Sequence, residues 1–151
     1  GYAQFENTLF KTLTFSAGLR LDYYNMNGNE TDFKPIFRAG MNLKVMKETY
    51  LRLSYGQGYR FPTIAERYIR TNVGSFGVFE NPDLKTEKSW NAEVGVKQGF
   101  KFFNYFGYFD FAVFQQEYYN TIEYLFGFWD STYSTIGGAG FKFLNTGHSR
   151  Q

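Results

Sequence analysis

The sequence predicts an all-β chain: a segment of an antiparallel transmembrane β-barrel with about seven strands. Three observations predict it: apolar and polar residues alternate, the alternating segments are long, and short connections alternate with long ones. In residues 13–23 the apolar set is Leu13, Phe15, Ala17, Leu19, Leu21 and Tyr23, and the set between them is Thr14, Ser16, Gly18, Arg20 and Asp22. Such alternation places one set on each face of a strand. The segment matches the roughly 9 to 11 residues that a tilted strand needs to cross a bilayer.

Three further segments, residues 37–45, 50–56 and 90–96, repeat this alternation. One face of each segment lacks large apolar residues. In residues 37–45 that face carries Arg38, Gly40, Asn42 and Lys44; in residues 50–56 it carries Arg52 and Ser54; and in residues 90–96 it carries Asn91, Glu93 and Gly95, with Lys97 next to the segment. Residues 1–7 are predicted to be a strand already under way, and residues 141–151 a final strand. Residues 108–122 are also strand-like, but Phe109, Phe111 and Val113 compete with Ala112 and Phe114 for the apolar face. The sequence therefore leaves that strand unoriented.

The connections between these segments alternate in length. Residues 7–12, 46–49 and 98–104 are short connections, whereas residues 25–32, 57–87 and 126–138 are longer. Outer-membrane barrels have short turns on the periplasmic side and long loops outside the cell. The alternation therefore favours a membrane barrel over a soluble β-meander.

Aromatic residues make up 23% of the chain and concentrate near strand ends. Examples are Tyr23, Tyr24, Phe102, Phe103, Tyr105, Phe106, Tyr118 and Tyr119. Interfacial girdles of a membrane barrel explain this placement. The alternative is the aromatic core of a soluble β-sandwich, which is disfavoured because Arg20, Arg38 and Arg52 lie at mid-strand, where a barrel lumen accepts charge.

Charge and cysteine content exclude other classes. The formal net charge is only +2 and the charges are scattered, which argues against a nucleic-acid partner. The chain has no cysteine, so disulfides and thiol chemistry are excluded within it. No apolar run approaches the roughly 20 residues that a membrane helix requires. A chain of this composition crosses a bilayer only as a barrel.

Two blocks in the longest connection have strong local signals. Residues 58–68 read GYRFPTIAERY, and residues 81–90 read NPDLKTEKSW. Pro62 fixes its own φ and pushes Phe61 into an extended conformation, after which residues 63–68 suit a short helical turn. The Asn81-Pro82-Asp83 sequence is turn chemistry that returns the chain toward the next strand.

These two blocks resemble the paired barrel motifs of TonB-dependent receptors. The usual family pattern is aromatic-Arg-Ala-Pro-Thr, followed at loop distance by Asn-Pro-Asp-Leu-Lys-Pro-Glu; here Phe61 replaces the usual Ala and Thr86 the usual Pro. Residues 17–22 (AGLRLD) resemble the Gly-Leu-Arg-Tyr-Asp strand of the family, and residues 114–122 its aromatic-rich strand. Four blocks in the family's order extend the resemblance over nearly the whole chain.

The resemblance implies that residues 1–151 are part of a barrel domain of about 22 strands, with the plug domain and TonB box absent from this chain. It implies a receptor in the outer membrane of a Gram-negative bacterium, surrounded by outer-membrane lipid. Its implied task is active uptake of a scarce nutrient such as a ferric siderophore, with TonB acting through the missing plug region. A passive porin or a surface adhesin without energised transport is the alternative, and a barrel enzyme comes third.

Two sets of candidate functional residues follow. Tyr59, Arg60, Arg67, Tyr68 and Arg70 lie in the long loop and are candidates for binding the ligand, the arginines by attracting an anionic ferric chelate. The competing interpretation is that both blocks only shape the loop. The residues predicted to face the lumen are Arg20, Arg38, Arg52, Glu93 and Lys97.

No catalytic residue, metal site or cofactor is predicted. His148 is the only histidine, and a polar lumen residue is the favoured interpretation over serine–histidine catalysis. Haem receptors of the family typically carry a histidine between the two blocks, and none occurs in residues 60–84, which makes haem a less favoured cargo. A calcium site formed by Glu66, Glu80, Asp83 and Glu87 is the weaker alternative to four solvated loop carboxylates.

Overall fold

The computed structural model describes residues 1–26, 30–130 and 136–151, and nearly all of its elements are strands. In chain order they are β1 (Tyr2–Leu9), β2 (Leu13–Met26), β3 (Glu30–Met46), β4 (Thr49–Arg60), α1 (Ile64–Tyr68), β5 (Thr71–Val73), β6 (Phe76–Phe79), β7 (Glu87–Phe102), β8 (Tyr105–Tyr119), β9 (Ile122–Phe128), β10 (Ala139–Asn145) and β11 (His148–Arg150). Within the described ranges, no helix is long and apolar enough to span a membrane.

The strands form two sheets. A seven-stranded sheet has the order β1-β2-β3-β4-β7-β8-β11, and a four-stranded sheet has the order β5-β6-β10-β9. The chain divides into two compact units. Unit 1 comprises Gly1–Gly58, Ser89–Glu117 and Arg150–Gln151, and unit 2 comprises Tyr59–Lys88 and Tyr118–Ser149.

The register of unit 1 confirms the predicted alternation. Cα partners in an antiparallel pair share a face of the sheet. The pairs Gly18↔Arg38 and Arg38↔Gly56 lie on one face, and the pairs Ala17↔Ala39 and Ala39↔Tyr55 lie on the other. The first face is called the polar face below, and the second, which carries the large apolar side chains, the apolar face.

The apolar face of unit 1 is largely exposed. Its exposed members include Phe5, Phe37, Val94, Phe100, Phe109 and Phe111, and its rings contact one another along the face, as in the Phe100–Phe109 stack with centroids 5.0 Å apart. A soluble sheet buries its apolar side chains against another layer. An exposed apolar face on long strands is instead typical of a lipid-facing surface.

The strands β2, β3, β4 and β7 of the seven-stranded sheet are longer than the sequence predicts. The alternating segments 13–23, 37–45, 50–56 and 90–96 lie within strands of 14, 17, 12 and 16 residues. The predicted loop 25–32 is mostly strand, with residues 27–29 outside the described residues. The alternation of apolar and polar residues stops where polar residues begin, but the strand pairing does not stop there. It continues between β2 and β3 as far as Met26↔Glu30.

The structure also orients β8. Asp110 lies on the polar face, because its carboxylate is 3.5 Å from the guanidinium of Arg52. Alternation then places Phe109, Phe111 and Val113 on the apolar face, and Ala112 on the polar face.

The prediction for residues 108–151 is partly wrong. Residues 108–122 are not one strand: β8 ends at Tyr119, Asn120 adopts a φ of 56°, and β9 begins at Ile122 in the other sheet. The predicted loop 126–138 begins later, since β9 continues to Phe128. The predicted strand 141–151 is divided at Gly147, whose φ is 103°, so only β11 joins the seven-stranded sheet.

Unit 2 has a small core of its own. Val78, Phe79, Leu84 and Ala139 are buried, and β10 pairs in parallel with β6 and antiparallel with β9. One face of the four-stranded sheet is aromatic: Tyr124, Phe126, Phe141 and Phe143 are linked by ring contacts of 4.6 to 5.1 Å. This core holds the loop that contains the two sequence blocks.

Candidate functional site

The five residues predicted to face the lumen share the polar face of unit 1. Arg38 is paired with Gly18 and Gly56, Arg20 with Ile36, and Arg52 with Asn42, which places the three arginines on one side. Leu19, Phe37 and Leu53 lie on the other side. The Arg52 guanidinium donates to Glu93 Oε1 at 3.0 Å, and Lys97 Nζ lies 4.1 Å from the centre of the Tyr108 ring. That this face borders a lumen stays a prediction.

The polar face also has a recess floored by small residues. Its lining includes Ser16, Gly18, Gly40, Ser54, Gly56 and Ser89, with Arg38 and Asn91 among the larger members. A Cβ added at Gly40 would lie 2.9 Å from Ser16 Oγ, and one added at Gly56 would lie 2.8 Å from Asn91 Oδ1. The small side chains therefore leave the recess open, and the polar groups next to Gly40 and Gly56 leave little room for a larger residue at either position.

In unit 2, Arg60 joins the two sequence blocks. Its Nε donates to Glu87 Oε2 at 2.5 Å, and its Nη1 donates to Glu66 Oε1 at 2.9 Å. Glu87 Oε1 in turn accepts the Ile122 N–H at 2.6 Å. One guanidinium thus ties the end of β4 to α1 and to the start of β7, through hydrogen bonds that are charge-assisted.

The short helix predicted after Pro62 is confirmed as α1. Thr63 is its N-cap: the Thr63 hydroxyl accepts the Glu66 N–H at 3.2 Å, and the Glu66 carboxylate accepts the Thr63 N–H at 2.7 Å. This reciprocal pair is a capping box, and it satisfies N–H groups that a helix start leaves without intrahelical acceptors. A five-residue helix depends on such a cap.

The same contacts determine the ionisation of Glu66. Partial burial is the largest single influence and opposes ionisation, but it is outweighed by the hydrogen bonds from the Thr63 N–H, the Arg60 guanidinium and the Thr63 hydroxyl, together with the attraction of the Arg60 charge. The pKa of Glu66 therefore lies below its ordinary value. Glu66 is a carboxylate at neutral pH, as the capping box and the ion pair require.

The second block is attached to α1 and to β10. The turn predicted at 81–83 is present, with the Leu84 N–H donating to the Asn81 carbonyl at 3.3 Å. Asn81 also donates two longer-range hydrogen bonds: its N–H donates to the Arg67 carbonyl and its Nδ2 to the Phe143 carbonyl, each at 2.8 Å. Arg67 Nη2 donates to the Leu84 carbonyl at 2.9 Å. Leu84 itself is 2% exposed, so the block is anchored by an apolar side chain as well as by polar contacts.

Two asparagines far along the chain complete this attachment. Asn145 Oδ1 accepts the Lys85 N–H at 2.8 Å, and its Nδ2 donates to the carbonyls of Lys85 and Asn120 at 2.9 and 2.7 Å. Asn120 Nδ2 donates to the Thr86 carbonyl at 3.4 Å. The side-chain amide of Asn145 therefore pairs with Lys85 as a neighbouring strand would.

The predicted ligand-binding residues occupy two different settings. Tyr59, Arg60 and Arg67 contribute to the internal contacts of unit 2; the Tyr59 hydroxyl donates to Thr86 Oγ1 at 3.4 Å. Tyr68 and Arg70 are exposed, and the Arg70 guanidinium is 3.8 Å from Glu80. Ligand contact by these five residues stays a prediction, and the geometry favours it most for Tyr68 and Arg70.

Sequence reasoning missed the structural roles of Glu66, Glu87, Asn120 and Asn145. The Thr63-x-x-Glu66 spacing was a usable signal for the capping box, whereas Asn120 and Asn145 have partners that no local pattern indicates. The calcium alternative is not supported: Glu66 and Glu87 bind Arg60, and no cluster of three potential metal ligands occurs within the described residues. The His148 ring stacks on Tyr119 with centroids 4.6 Å apart.

Comparison with known proteins agrees with the fold described above. A family model described as "TonB dependent receptor-like, beta-barrel" matches residues 1–150. Among curated proteins, the hemoglobin and hemoglobin-haptoglobin-binding proteins C and B of Haemophilus influenzae are each 33% identical over 95 residues, which is 62% of this chain and 8% of theirs. The chain therefore spans less than a tenth of the length of these relatives.

Two solved structures share the fold at 16% identity. One is a double mutant of the Serratia marcescens hemophore receptor HasR in complex with its hemophore HasA and heme, with a TM-score of 0.77 over 99% of this chain and 29% of that one. The other is the siderophore receptor PirA from Pseudomonas aeruginosa, with a TM-score of 0.72 over 99% of this chain and 28% of that one. The likeness shows that these strands have the arrangement of a segment of a receptor barrel.

Proposed function

Because this chain belongs to the TonB-dependent receptor β-barrel family, we propose that it forms part of the wall and loops of an outer-membrane receptor for energised uptake of an iron-containing nutrient. In this proposal the residues lie in the outer membrane of a Gram-negative bacterium. The plug domain and the TonB-contacting segment lie elsewhere in the same protein, and TonB acts through them.

The two-faced sheet of unit 1 carries the membrane part of the proposal. Its apolar face is exposed over strands of 12 to 17 residues, while Arg20, Arg38 and Arg52 lie on the opposite face. Lipid on one side and an aqueous lumen on the other satisfy both faces at once. Bulk water on both sides would leave the phenylalanines hydrated at a cost in free energy.

The cargo is proposed at two levels. Uptake of an iron-containing nutrient is supported by the named relatives, one a siderophore receptor and the others binding hemoglobin or a heme-carrying hemophore. A ferric siderophore is the cargo predicted from the family resemblance and from the loop arginines. Heme or hemoglobin is the second candidate, favoured by the 33% identity to the Haemophilus proteins.

The loop geometry suggests that different residues contact the ligand and hold the loop in shape. We assign Tyr68 and Arg70 to ligand contact because their side chains are exposed, and Arg60 and Arg67 to holding the loop in shape. The lumen-facing Arg20, Arg38, Arg52, Glu93 and Lys97 then line the passage. No catalysis is assigned, in keeping with relatives that are named as receptors and binding proteins.

Growth of a deletion strain tests this proposal. The strain is grown under iron limitation with a ferric siderophore, heme or hemoglobin as the sole iron source, with and without the full-length gene. Complemented growth on one of these sources, abolished when TonB is also deleted, is the expected result. Growth that persists without TonB indicates a passive porin, and equal growth with and without the gene on all three sources contradicts the uptake of iron.

A further inference from the structure

Arg38 differs from the other basic residues on the polar face of unit 1. Each of the others has a carboxylate or an aromatic ring beside it. The pairs with a carboxylate are Arg20–Asp22, Lys34–Asp32, Arg52–Glu93 and Arg52–Asp110, and the pairs with a ring are Lys44–Tyr50, Lys97–Tyr108 and Lys101–Phe106. Within the residues that the structure describes, Arg38 has no ion pair, and its guanidinium makes no hydrogen bond. Glu6 shares this face through its pairing with Ser16, but it does not pair with Arg38.

Arg38 lines the recess of the polar face, which has a volume of about 660 Å³ and is otherwise lined by uncharged residues. This volume is within the range of about 300 to 1,000 Å³ that small-molecule sites occupy. A second recess on the same face, of about 430 Å³, is lined by Arg52, Lys97 and Asp110, and there Asp110 and Glu93 balance the positive charges. Charge of one sign in a cleft raises the local concentration of ions of the opposite sign. Of the two recesses, the one at Arg38 has the uncompensated positive charge.

The recess at Arg38 also contains polar side chains without a hydrogen-bond partner in the described part of the chain. They are the hydroxyls of Ser16, Ser54 and Ser89 and the amide of Asn91. A guanidinium has five N–H donors, and hydroxyls and amides add further donors. An anion with several acceptor oxygens matches this set, because it gains charge-assisted hydrogen bonds from Arg38 and neutral ones from its neighbours.

The affinity of such a site is expected to be low. Arg38 is exposed, and exposed charge pairs contribute little free energy because water screens them. A transport site must bind strongly enough to be entered and weakly enough to be left. One screened cation in an open recess meets this condition, but it would not retain a scarce nutrient at the cell surface. The recess therefore suits cargo in transit better than cargo at capture.

We propose that Arg38 and the recess beside it form a wall subsite for an anionic, oxygen-rich iron(III) chelate during its passage through the barrel. The inference rests on the proposed function, because it requires the polar face to border the lumen. It adds to that function a subsite in unit 1 and assigns the attraction of the chelate there to Arg38. Tyr68 and Arg70 keep the separate role of capture.

Uptake of radiolabelled iron by cells that carry the full-length receptor tests the proposal. The iron is given as an anionic iron(III)–catecholate chelate. Binding to de-energised cells measures capture, and the maximal uptake rate in energised cells measures transit. Arg38→Gln is expected to lower the maximal rate about fivefold, while the dissociation constant of de-energised binding changes by less than about twofold. Arg38→Lys keeps the charge and is expected to retain most of the rate.

Two control variants separate the role of Arg38 from a general effect of charge. Lys47→Gln removes the same charge from an exposed turn, and the maximal rate is expected to stay unchanged. Glu6→Gln removes an anion from the polar face and is expected not to lower the rate. A rate unchanged in Arg38→Gln, or lowered equally in Glu6→Gln, overturns the proposal.

Two further outcomes also overturn it. Entry of vancomycin into cells with the Arg38→Gln receptor is a leak, and it indicates that Arg38 holds an acidic group of the plug rather than the chelate. An unmodified receptor that takes up heme but not the chelate refutes the subsite and leaves the proposed function standing. Failure of the subsite is therefore distinguishable from failure of energised uptake.

Discussion

Asn145 pairs with Lys85 through both polar groups of the Lys85 backbone, although sixty residues separate them: Oδ1 accepts the Lys85 N–H at 2.8 Å and Nδ2 donates to the Lys85 carbonyl at 2.9 Å. A side-chain amide can replace a strand in this way because it carries one acceptor and two donors. The second donor reaches the Asn120 carbonyl. The loop residues 81–86 are thereby fixed to the end of β10 without joining a sheet.

Replacing Asn145 is expected to release this block. Asn145→Leu removes three hydrogen bonds, of which the one to the Asn120 carbonyl is partly buried, at a cost on the order of 1 to 3 kcal/mol. Hydrogen exchange of the Lys85 amide in the full-length receptor measures the effect, and a large loss of protection is expected. Asn72→Leu, at an exposed position of β5, is the control. Unchanged protection of Lys85 in the Asn145 variant contradicts the pairing.

Glu66 makes the start of α1 sensitive to acid. Its pKa is lowered in the folded chain from an ordinary value of 4.5, so the unfolded state binds the proton more readily. The resulting stabilisation is fully present above pH 4.5 and is lost as the pH falls through the folded pKa. Protection of the Glu66 amide is therefore expected to decline below that pH, and Glu66→Gln to abolish most of this decline. If the Glu66→Gln variant keeps the full pH dependence of amide protection, another titratable group causes it.

Adjacent residues in β8 test which face meets lipid. Phe111 is 69% exposed on the apolar face near the middle of the strand, and Ala112 follows on the polar face. Phe111→Lys is expected to destabilise the receptor in phospholipid vesicles by about 2–4 kcal/mol, as a lysine at the bilayer midplane does. Ala112→Lys is the matched control and is expected to change stability much less. Equal effects in urea unfolding are incompatible with the lipid-facing assignment.

The sheet of unit 1 was predictable because its cause is local. Over residues 13–22 of β2, apolar residues alternate with polar or small ones, so the face of Arg20 follows from the positions of Leu19 and Leu21 without any knowledge of β1 or β3. The capping box was likewise within reach, since Thr63 and Glu66 are three residues apart. The sequence did not orient β8, because Phe114 on the polar face obscures the alternation. The ion pair of Asp110 with Arg52, 58 residues away in the chain, resolves the orientation.

Unit 2 was not predictable for the opposite reason. Its sheet joins β6 to β10, whose paired residues are 63 positions apart in the sequence, as in Gly77 and Gly140. From sequence alone, Tyr124, Phe126 and Phe141 resemble interfacial aromatics, and only their ring contacts show that they pack on one another. Asn120 and Gly147, both with positive φ, mark the points where the chain leaves the seven-stranded sheet and rejoins it, in that order. An isolated glycine or asparagine does not indicate which sheet the next strand enters.

Two arginines of the loop, Arg67 and Arg70, separate structural support from ligand capture. Arg67 donates to the buried carbonyl of Leu84 at 2.9 Å, whereas Arg70 is exposed and its ion pair with Glu80 is 3.8 Å long. Exposed pairs of this kind contribute about 0 to 1 kcal/mol. Arg70→Ala is therefore expected to leave stability nearly unchanged, while Arg67→Ala costs on the order of 1.5 to 3 kcal/mol, as loss of a charge-assisted hydrogen bond does.

Binding of an anionic iron(III)–catecholate chelate to the full-length receptor measures the other half of this prediction. If exposed loop cations attract the chelate, Arg70→Ala weakens binding and leaves the unfolding midpoint nearly unchanged. The affinity that remains is expected to depend less on salt concentration. Arg70→Lys keeps the charge and is expected to retain most of the affinity. If the Arg70→Ala variant binds as tightly as the unmodified receptor, Arg70 does not take part in ligand capture. The same titration on Tyr68→Ala then decides whether this part of the loop contacts ligand.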